Sequence, residues 1–337
     1  MRKEAYGTRD SWKKYDEADL EALEHLAAEY IDFISENKTE RACAATAVTM
    51  AEAAGYRPLA AAVSEGRTLK PGDKVWALAH GKALILVQLG AGSLTAGLNI
   101  LGAHIDSPRL DVKQNPLYER TTSRFWTRII MAASSTTSGL RCRLLCMAWW
   151  RDRRFRGGRA GGRDPGDPVF CVTDLLIHLA SQQMGKKASE VVEGEALDLL
   201  VGNRPLLIER EGKGEATSEA ADDRPAFEKL AEKEPVKAFA LKLLAEKYDI
   251  AEEDFLSAEL EVVPAGRARD LGFDRSMVIG YGQDDRVCAF TSLAAQLAMA
   301  DQMLDKAAVC VLVDKEEIGS VGATGMASRF FENTIAE

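Results

Sequence analysis

Apolar positions fall at near-helical spacing between Tyr15 and Asn37, with Leu20, Leu23, Tyr30, Ile31 and Ile34 along one face, and this predicts an amphipathic helix. Thr39 stands where an N-cap is expected for a second helix ending at Gly55. The period then changes. KVWALAHGKALILVQL holds two apolar runs broken by His80-Gly81-Lys82, a pattern that predicts a β-hairpin. LNILGAHIDS reads as a buried strand that delivers polar groups at its carboxyl end. Further along, residues 234–247 predict a helix and SAELEVVPA a strand. Helical spacing returns over 285–301, with Val287, Phe290, Leu293 and Leu297 on one face. AAVCVLV at 307–313 is a continuous apolar strand, and a Gly-rich turn leads from it towards a final helix. The polar stretch EREGKGEATSEAADDR at 209–224 predicts a surface loop. Strands alternating with helices at both ends of the chain point to an α/β fold, a sheet with helices on its faces.

Composition narrows the class. The 337 residues suffice for one large domain or two smaller ones. A formal net charge of −9 argues against a nucleic-acid binder, which needs a basic face for phosphates. The N-terminus MRKEAYGTRDSWKKYDEADL carries no apolar core of a secretory signal. Ala83–Ile105 runs without a formal charge, but Gly90, Gly92, Gly97 and Gly102 interrupt it. That stretch is read as two buried strands joined around GAGS, so no membrane span is expected. Six cysteines without a CxxC pair suit a soluble, reduced, cytoplasmic chain.

Residues 120–163 break the composition of the rest. They hold eleven arginines, no lysine and no glutamate, Asp152 as their only acid, and Trp126, Trp149 and Trp150. A basic patch with interleaved aromatics would suit nucleic acid. A reading-frame change is the preferred reading, because RFWTRIIMAAS can be encoded so that a shifted frame spells Ala-Leu-Leu-Asp-Thr-His-His-His-Gly-Gly. A segment so produced has no selected hydrophobic pattern and is expected to lack a coherent fold, or at best to pack poorly, with its tryptophans exposed.

Three constellations carry chemistry. The first is Gly102-Ala103-His104-Ile105-Asp106-Ser107-Pro108, at the end of a strand. Residues i and i+2 of a strand share a side, so His104 and Asp106 would point together at the end where open α/β sheets place their sites. The second is Gly280-Tyr281-Gly282-Gln283-Asp284-Asp285-Arg286, a turn entering a helix. There Asp284 or Asp285 is either a plain N-cap or a carboxylate bridging two metal ions. The third is Asp314-Lys315-Glu316-Glu317-Ile318-Gly319-Ser320. Adjacent glutamates are usually a solvated charge run, but here they follow a buried strand, where one can ligate a metal and the other act as a general base. No HExxH is present, which excludes the single-zinc protease scheme built on that motif.

Together with the phrases LGAHIDSPRLDVKQNPLYE, SAELEVVPAGRARDLGFDRSMVIGYGQDDRVCAFTS and VDKEEIGSVGATGM, these motifs closely resemble the aspartyl aminopeptidase family of two-zinc exopeptidases. Family-like sequence also appears as DPGDPVFCVTDLLIHLA after the arginine-rich segment. The resemblance implies a zinc-dependent aminopeptidase that releases N-terminal residues, acidic ones by the family's name, from peptide substrates. It implies two Zn2+ ions, with His104 ligating one, Asp284 bridging both and Glu317 ligating the other. Glu316 would be the general base, and Asp106 would orient His104. The implied architecture is a mixed sheet flanked by helices, split as 1–113 and 270–337 around a β-rich insert at 114–269, within a homo-oligomer.

Members of that family continue beyond the motif that precedes Glu337 here, and supply a further carboxylate and a late histidine. Each zinc is therefore expected to lack one protein ligand, and the sheet to expose an edge. Two alternatives to the peptidase stand beside it: an impaired or inactive relative that serves only in assembly, and an arginine-rich binding module at 120–163.

Overall fold

The computed structural model describes residues 11–119, 125–132, 144–151, 157–160, 167–172, 177–187, 190–191, 197–207 and 225–337, with backbone alone for 11, 125–132, 144–151 and 157–160. The chain divides into two compact units, one made of 1–107 with 266–337 and the other of 108–265.

The first unit opens with α1 (Glu17–Glu36), started by a reciprocal capping box in which Asp16 and Asp19 each accept the other's N–H. Thr39 caps α2 (Glu40–Ala53) by accepting the Ala42 N–H at 3.2 Å. Next come β1 (Arg57–Pro58), α3 (Leu59–Ser64), β2 (Lys74–Ala79) and β3 (Ala83–Gln88). β2 and β3 form the expected antiparallel hairpin, turned at His80 and Gly81, whose φ angles are 50° and 73°. β4 (Leu98–His104) closes this part of the chain.

The second unit holds β5 (Arg109–Glu119), β6 (Phe125–Ala132), β7 (Leu144–Arg151), β8 (Gly157–Ala160), β9 (Cys171–Val172), α4 (Ser181–Met184), β10 (Asp198–Leu200), α5 (Ala226–Lys233), α6 (Pro235–Tyr248) and β11 (Glu259–Pro264). Its sheet has the order β8-β7-β11-β5-β6-β10-β9, with every pairing antiparallel. Leu199 and Val262 are buried there, with Leu110, Val112 and Phe170 packed against them. Leu241, Ile250 and Phe255 form a second cluster.

The chain then returns to the first unit with β12 (Arg269–Leu271), β13 (Met277–Ile279), α7 (Gln283–Ala298), β14 (Ala307–Val313) and α8 (Phe330–Ala336). The main sheet of this unit runs β1-β2-β3-β14-β4, with β14 antiparallel to β3 and parallel to β4. One face packs on α1, α2 and α7 through Phe33, Ile34, Ala47, Leu84, Leu86, Phe290, Leu293 and Leu312. The other buries Ile85, Val87, Val309 and Val311, with Phe330, Phe331 and Ile335 packed against them.

Several expectations change. β4 is not a buried strand: it is an edge strand whose only partner among the described residues is β14, and Ile100 and Leu101 are 50% and 47% exposed. β3 and β4 are not neighbours either, because β14 lies between them. On α7, Val287 faces solvent and Arg286 takes the buried position one residue earlier. Among the described residues of TDLLIHLASQQ, Ile177–Leu179 form a 3₁₀ turn and Ser181–Met184 the short α4. The loop expected at 209–224 lies outside the described residues. Within 120–163 the backbone of β6, β7 and β8 joins the second sheet, and the packing on which the expectation for this segment turns lies outside the described residues. The side chains of Trp126, Trp149 and Trp150 lie outside the described residues. Among the described residues no helix is long and apolar enough to cross a membrane.

Candidate metal centre

The parallel pairing of β4 with β14 builds the centre. Its register sets His104 opposite Val313, and the Ile105 N–H donates to the Val313 carbonyl at 2.8 Å. Both strands therefore release their chains at the same end, β4 into Ile105-Asp106-Ser107 and β14 into Asp314-Lys315-Glu316-Glu317. Open α/β sheets commonly gather functional groups at such carboxyl ends. The third segment comes from the entry to α7. Gly282 turns the chain with φ 84°, a left-handed value that favours glycine. Asp284 (φ −89°, ψ 111°) and Asp285 (φ −117°, ψ 31°) are not yet helical. Asp284 is thus not an N-cap, and no side chain caps this helix.

His104 is buried, and its Nε2 lies 3.3 Å from Asp284 Oδ1 and 3.7 Å from Glu316 Oε2. Nδ1 lies 3.1 Å from the Asp106 carbonyl and 3.4 Å from Asp106 Oδ1. The ring is therefore held at Nδ1, and Nε2 is presented to the carboxylates. Asp106 has a second role that its spacing from His104 did not suggest. Its Oδ1 accepts the Glu316 N–H at 3.3 Å and its Oδ2 accepts the Glu317 N–H at 3.2 Å. One buried carboxylate thus ties the histidine to both glutamates. The Asp284 and Glu316 side chains are open to solvent, at 88% and 56% exposure.

The electrostatics follow from this crowding. The hydrogen bond to Asp106 leads the forces that push His104 up to about 9, against the opposing effect of burial. Burial works to raise Asp106, but hydrogen bonds from His104 and from the Glu317 and Glu316 N–H groups hold its carboxyl below the usual carboxylate range. Glu317 is raised, first by burial, with Asp106, Asp284 and Glu316 adding to it against the attraction of His104.

Two residues that join the entry to α7 with the end of β4 were not singled out in the sequence. Arg286 is buried; its Nε donates to the Ile105 carbonyl at 2.9 Å and its Nη2 to the Lys38 carbonyl at 3.1 Å. Its guanidinium also lies over the Tyr281 ring. The Ser107 hydroxyl donates to the Asp284 carbonyl at 3.0 Å. A signal for Arg286 was present, since it lies four and seven residues before Phe290 and Leu293 and so shares their buried face. Ser107 carries no comparable signal.

A buried imidazole facing carboxylates where parallel strands end offers the nitrogen and oxygen donors of a divalent-metal centre in an α/β enzyme. The profile of the aminopeptidase I zinc metalloproteases (M18) matches residues 33–131 and 160–337. The chain belongs to that family. The profile leaves out 132–159, which falls inside the compositionally aberrant segment. Over 336 residues the chain is 47% identical to a probable M18 family aminopeptidase 1 of Clostridium acetobutylicum, covering 98% of this chain and 66% of the relative. It therefore spans about two thirds of that relative's length. Among solved structures it is similar to aminopeptidase I from Clostridium acetobutylicum, with a TM-score of 0.81 and 45% identity over 97% of this chain and 67% of the other. It is likewise similar to an M18 aminopeptidase from Thermotoga maritima, with a TM-score of 0.80 and 35% identity over 96% and 64%.

Proposed function

We propose that this chain carries the catalytic centre of a zinc-dependent aminopeptidase, with His104, Asp284 and Glu317 as metal ligands and Glu316 as the general base. The observation that carries this reading is the 3.3 Å approach of His104 Nε2 to Asp284 Oδ1, two residues 180 positions apart in sequence. Two donors each about 2.1 Å from one tetrahedral ion stand about 3.4 Å apart, so the pair fits a shared zinc. Family membership supports zinc, and a pair of ions belongs to this reading through the family resemblance.

Zinc held there supplies Lewis-acid polarisation of the scissile carbonyl and lowers the pKa of a water. The chain's own residues do the rest. Glu316, exposed beside His104, accepts the water's proton and delivers it to the leaving amine. Asp106 keeps the imidazole turned so that Nε2 faces the ligands, as a carboxylate behind a ligating histidine commonly does. Peptide substrates, a preference for acidic N-terminal residues and homo-oligomeric assembly belong to the same reading through the family resemblance. A cytoplasmic setting belongs to the same reading, from six cysteines without a CxxC pair. The test is zinc titration of the purified chain beside His104→Ala, with hydrolysis of aminoacyl-p-nitroanilides as the second readout. Equal zinc uptake by both proteins would sink the assignment.

A further inference from the structure

The two glutamates of the centre stand on the loop from Asp314 to Thr324, whose backbone is held in costly conformations. Lys315, Gly319, Ser320 and Gly322 have φ angles of 73°, 92°, 61° and 131°. Lys315 and Ser320 carry side chains, for which the left-handed region is disfavoured. Such a loop keeps its shape only where its surroundings impose it.

Two contacts close the base of the loop. The Asp314 N–H donates to the Thr324 carbonyl at 3.2 Å, and the Thr324 hydroxyl donates to Asp314 Oδ2 at 2.7 Å. Both residues are buried. Inside the loop the Ser320 N–H reaches the Lys315 carbonyl at 2.6 Å, and the Ala327 N–H donates to the Ser320 carbonyl at 3.2 Å. Gly325 permits this fold, since a Cβ there would come within 2.1 Å of the Ser320 carbonyl oxygen. Asp106 grips only the N–H groups of Glu316 and Glu317, so the ends of the loop depend on the contacts at its base. Asp314 is 1% exposed, too deep to meet a substrate. Burial pushes its carboxyl up, with Glu40 adding to the effect and Thr324, Lys82 and Lys315 opposing it.

We propose that Asp314 and Thr324 form a clasp that sets where Glu316 and Glu317 stand, making both positioning residues for the hydrolysis; this rests on the peptidase reading above. The test compares the full chain with Thr324→Val, which keeps the shape but removes the hydroxyl, and with Thr324→Ser, which restores it. Amide hydrogen exchange at Glu316 and Glu317 is the first readout and zinc affinity the second. Thr324→Val should speed exchange at those two amides about tenfold and weaken zinc by a similar factor, the scale of one lost hydrogen bond, while protection of β3 and β14 is unchanged. Thr324→Ser should recover both. If Thr324→Val does not fold, Thr324→Ala is read in the same way. Unchanged exchange at Glu316 and Glu317, or no recovery with serine, overturns the clasp. A wild-type chain that takes up no zinc removes the metal reading instead, and the exchange result still decides the clasp.

Discussion

The Nε of Arg286 donates to the carbonyl of Ile105 at 2.9 Å, so the turn that carries Asp284 is fastened to the strand end that carries His104. A second donation from the same guanidinium reaches Lys38, where α1 passes into α2. Arg286→Met removes both charged donors from a buried place. It should cost about 3–6 kcal/mol, because hydrogen bonds to a charged group contribute about 1.5–3 kcal/mol each. Urea denaturation measures it, and a loss under about 1 kcal/mol would mean that Arg286 does not hold these segments together.

The two adjacent glutamates should separate by experiment. In a frame-corrected chain extended to the length of its relatives, Glu316→Gln keeps the side chain's shape but cannot accept a proton, so zinc uptake should persist while kcat falls by about 10²–10⁴. The chain as it stands, with a ligand missing from each ion, should bind zinc weakly and show little or no activity. If Glu317 is the ligand proposed above, Glu317→Gln should reduce zinc uptake as well. Zinc titration with peptide-hydrolysis kinetics reads both, and equal zinc loss in the two variants would reverse the assignment of roles.

Cys310 gives a pH dependence of known sign. Burial pushes its thiol up to about 12, so the folded chain keeps a proton that the unfolded chain releases near pH 9. Its raised value therefore contributes stability that is fully present below about pH 9 and is lost as pH rises towards 12. Relative to Cys310→Ala, the wild type should lose about 1.4 kcal/mol per pH unit above 9. Denaturation at pH 8, 9.5 and 10.5 tests this, and parallel curves for the two proteins would refute it.

Residues 120–163 yield a prediction at the level of the gene. Sequencing across codons 115–170 should find two compensating changes of frame, and correction should spell Leu-Asp-Thr-His in place of part of RFWTRIIMAAS. A tryptic peptide from the natural source with the mass of the printed sequence would end that idea.

Much of the first unit was legible because its signals are local. The spacing of Tyr30, Ile31 and Ile34 marked α1, Thr39 marked the start of α2, and His80-Gly81 marked the hairpin. The edge position of β4 was not legible, because exposure of Ile100 and Leu101 depends on which strands lie beside them. β5 was missed since QNPLYE mixes polar residues with a proline, and its pairing shifts register between Val112 and Leu117. For the site, His104, Asp106, Asp284, Glu316 and Glu317 were named from motif position. The contacts between them, such as Asp106 with the Glu316 and Glu317 N–H groups, join residues about 210 positions apart and left no mark in either segment.

The place of β14 between β3 and β4 also bears on how the protein is made. A ribosome releases β4 roughly 200 residues before β14 exists, which at about 5–20 residues per second is a wait of about 10–40 s. During that interval the β2–β3 hairpin can close, but β3 and β4 both lack their native partner β14, and their rows of N–H and C=O groups stay open to other chains. The nascent chain is thus most vulnerable to aggregation after His104 has emerged and before Val313 has.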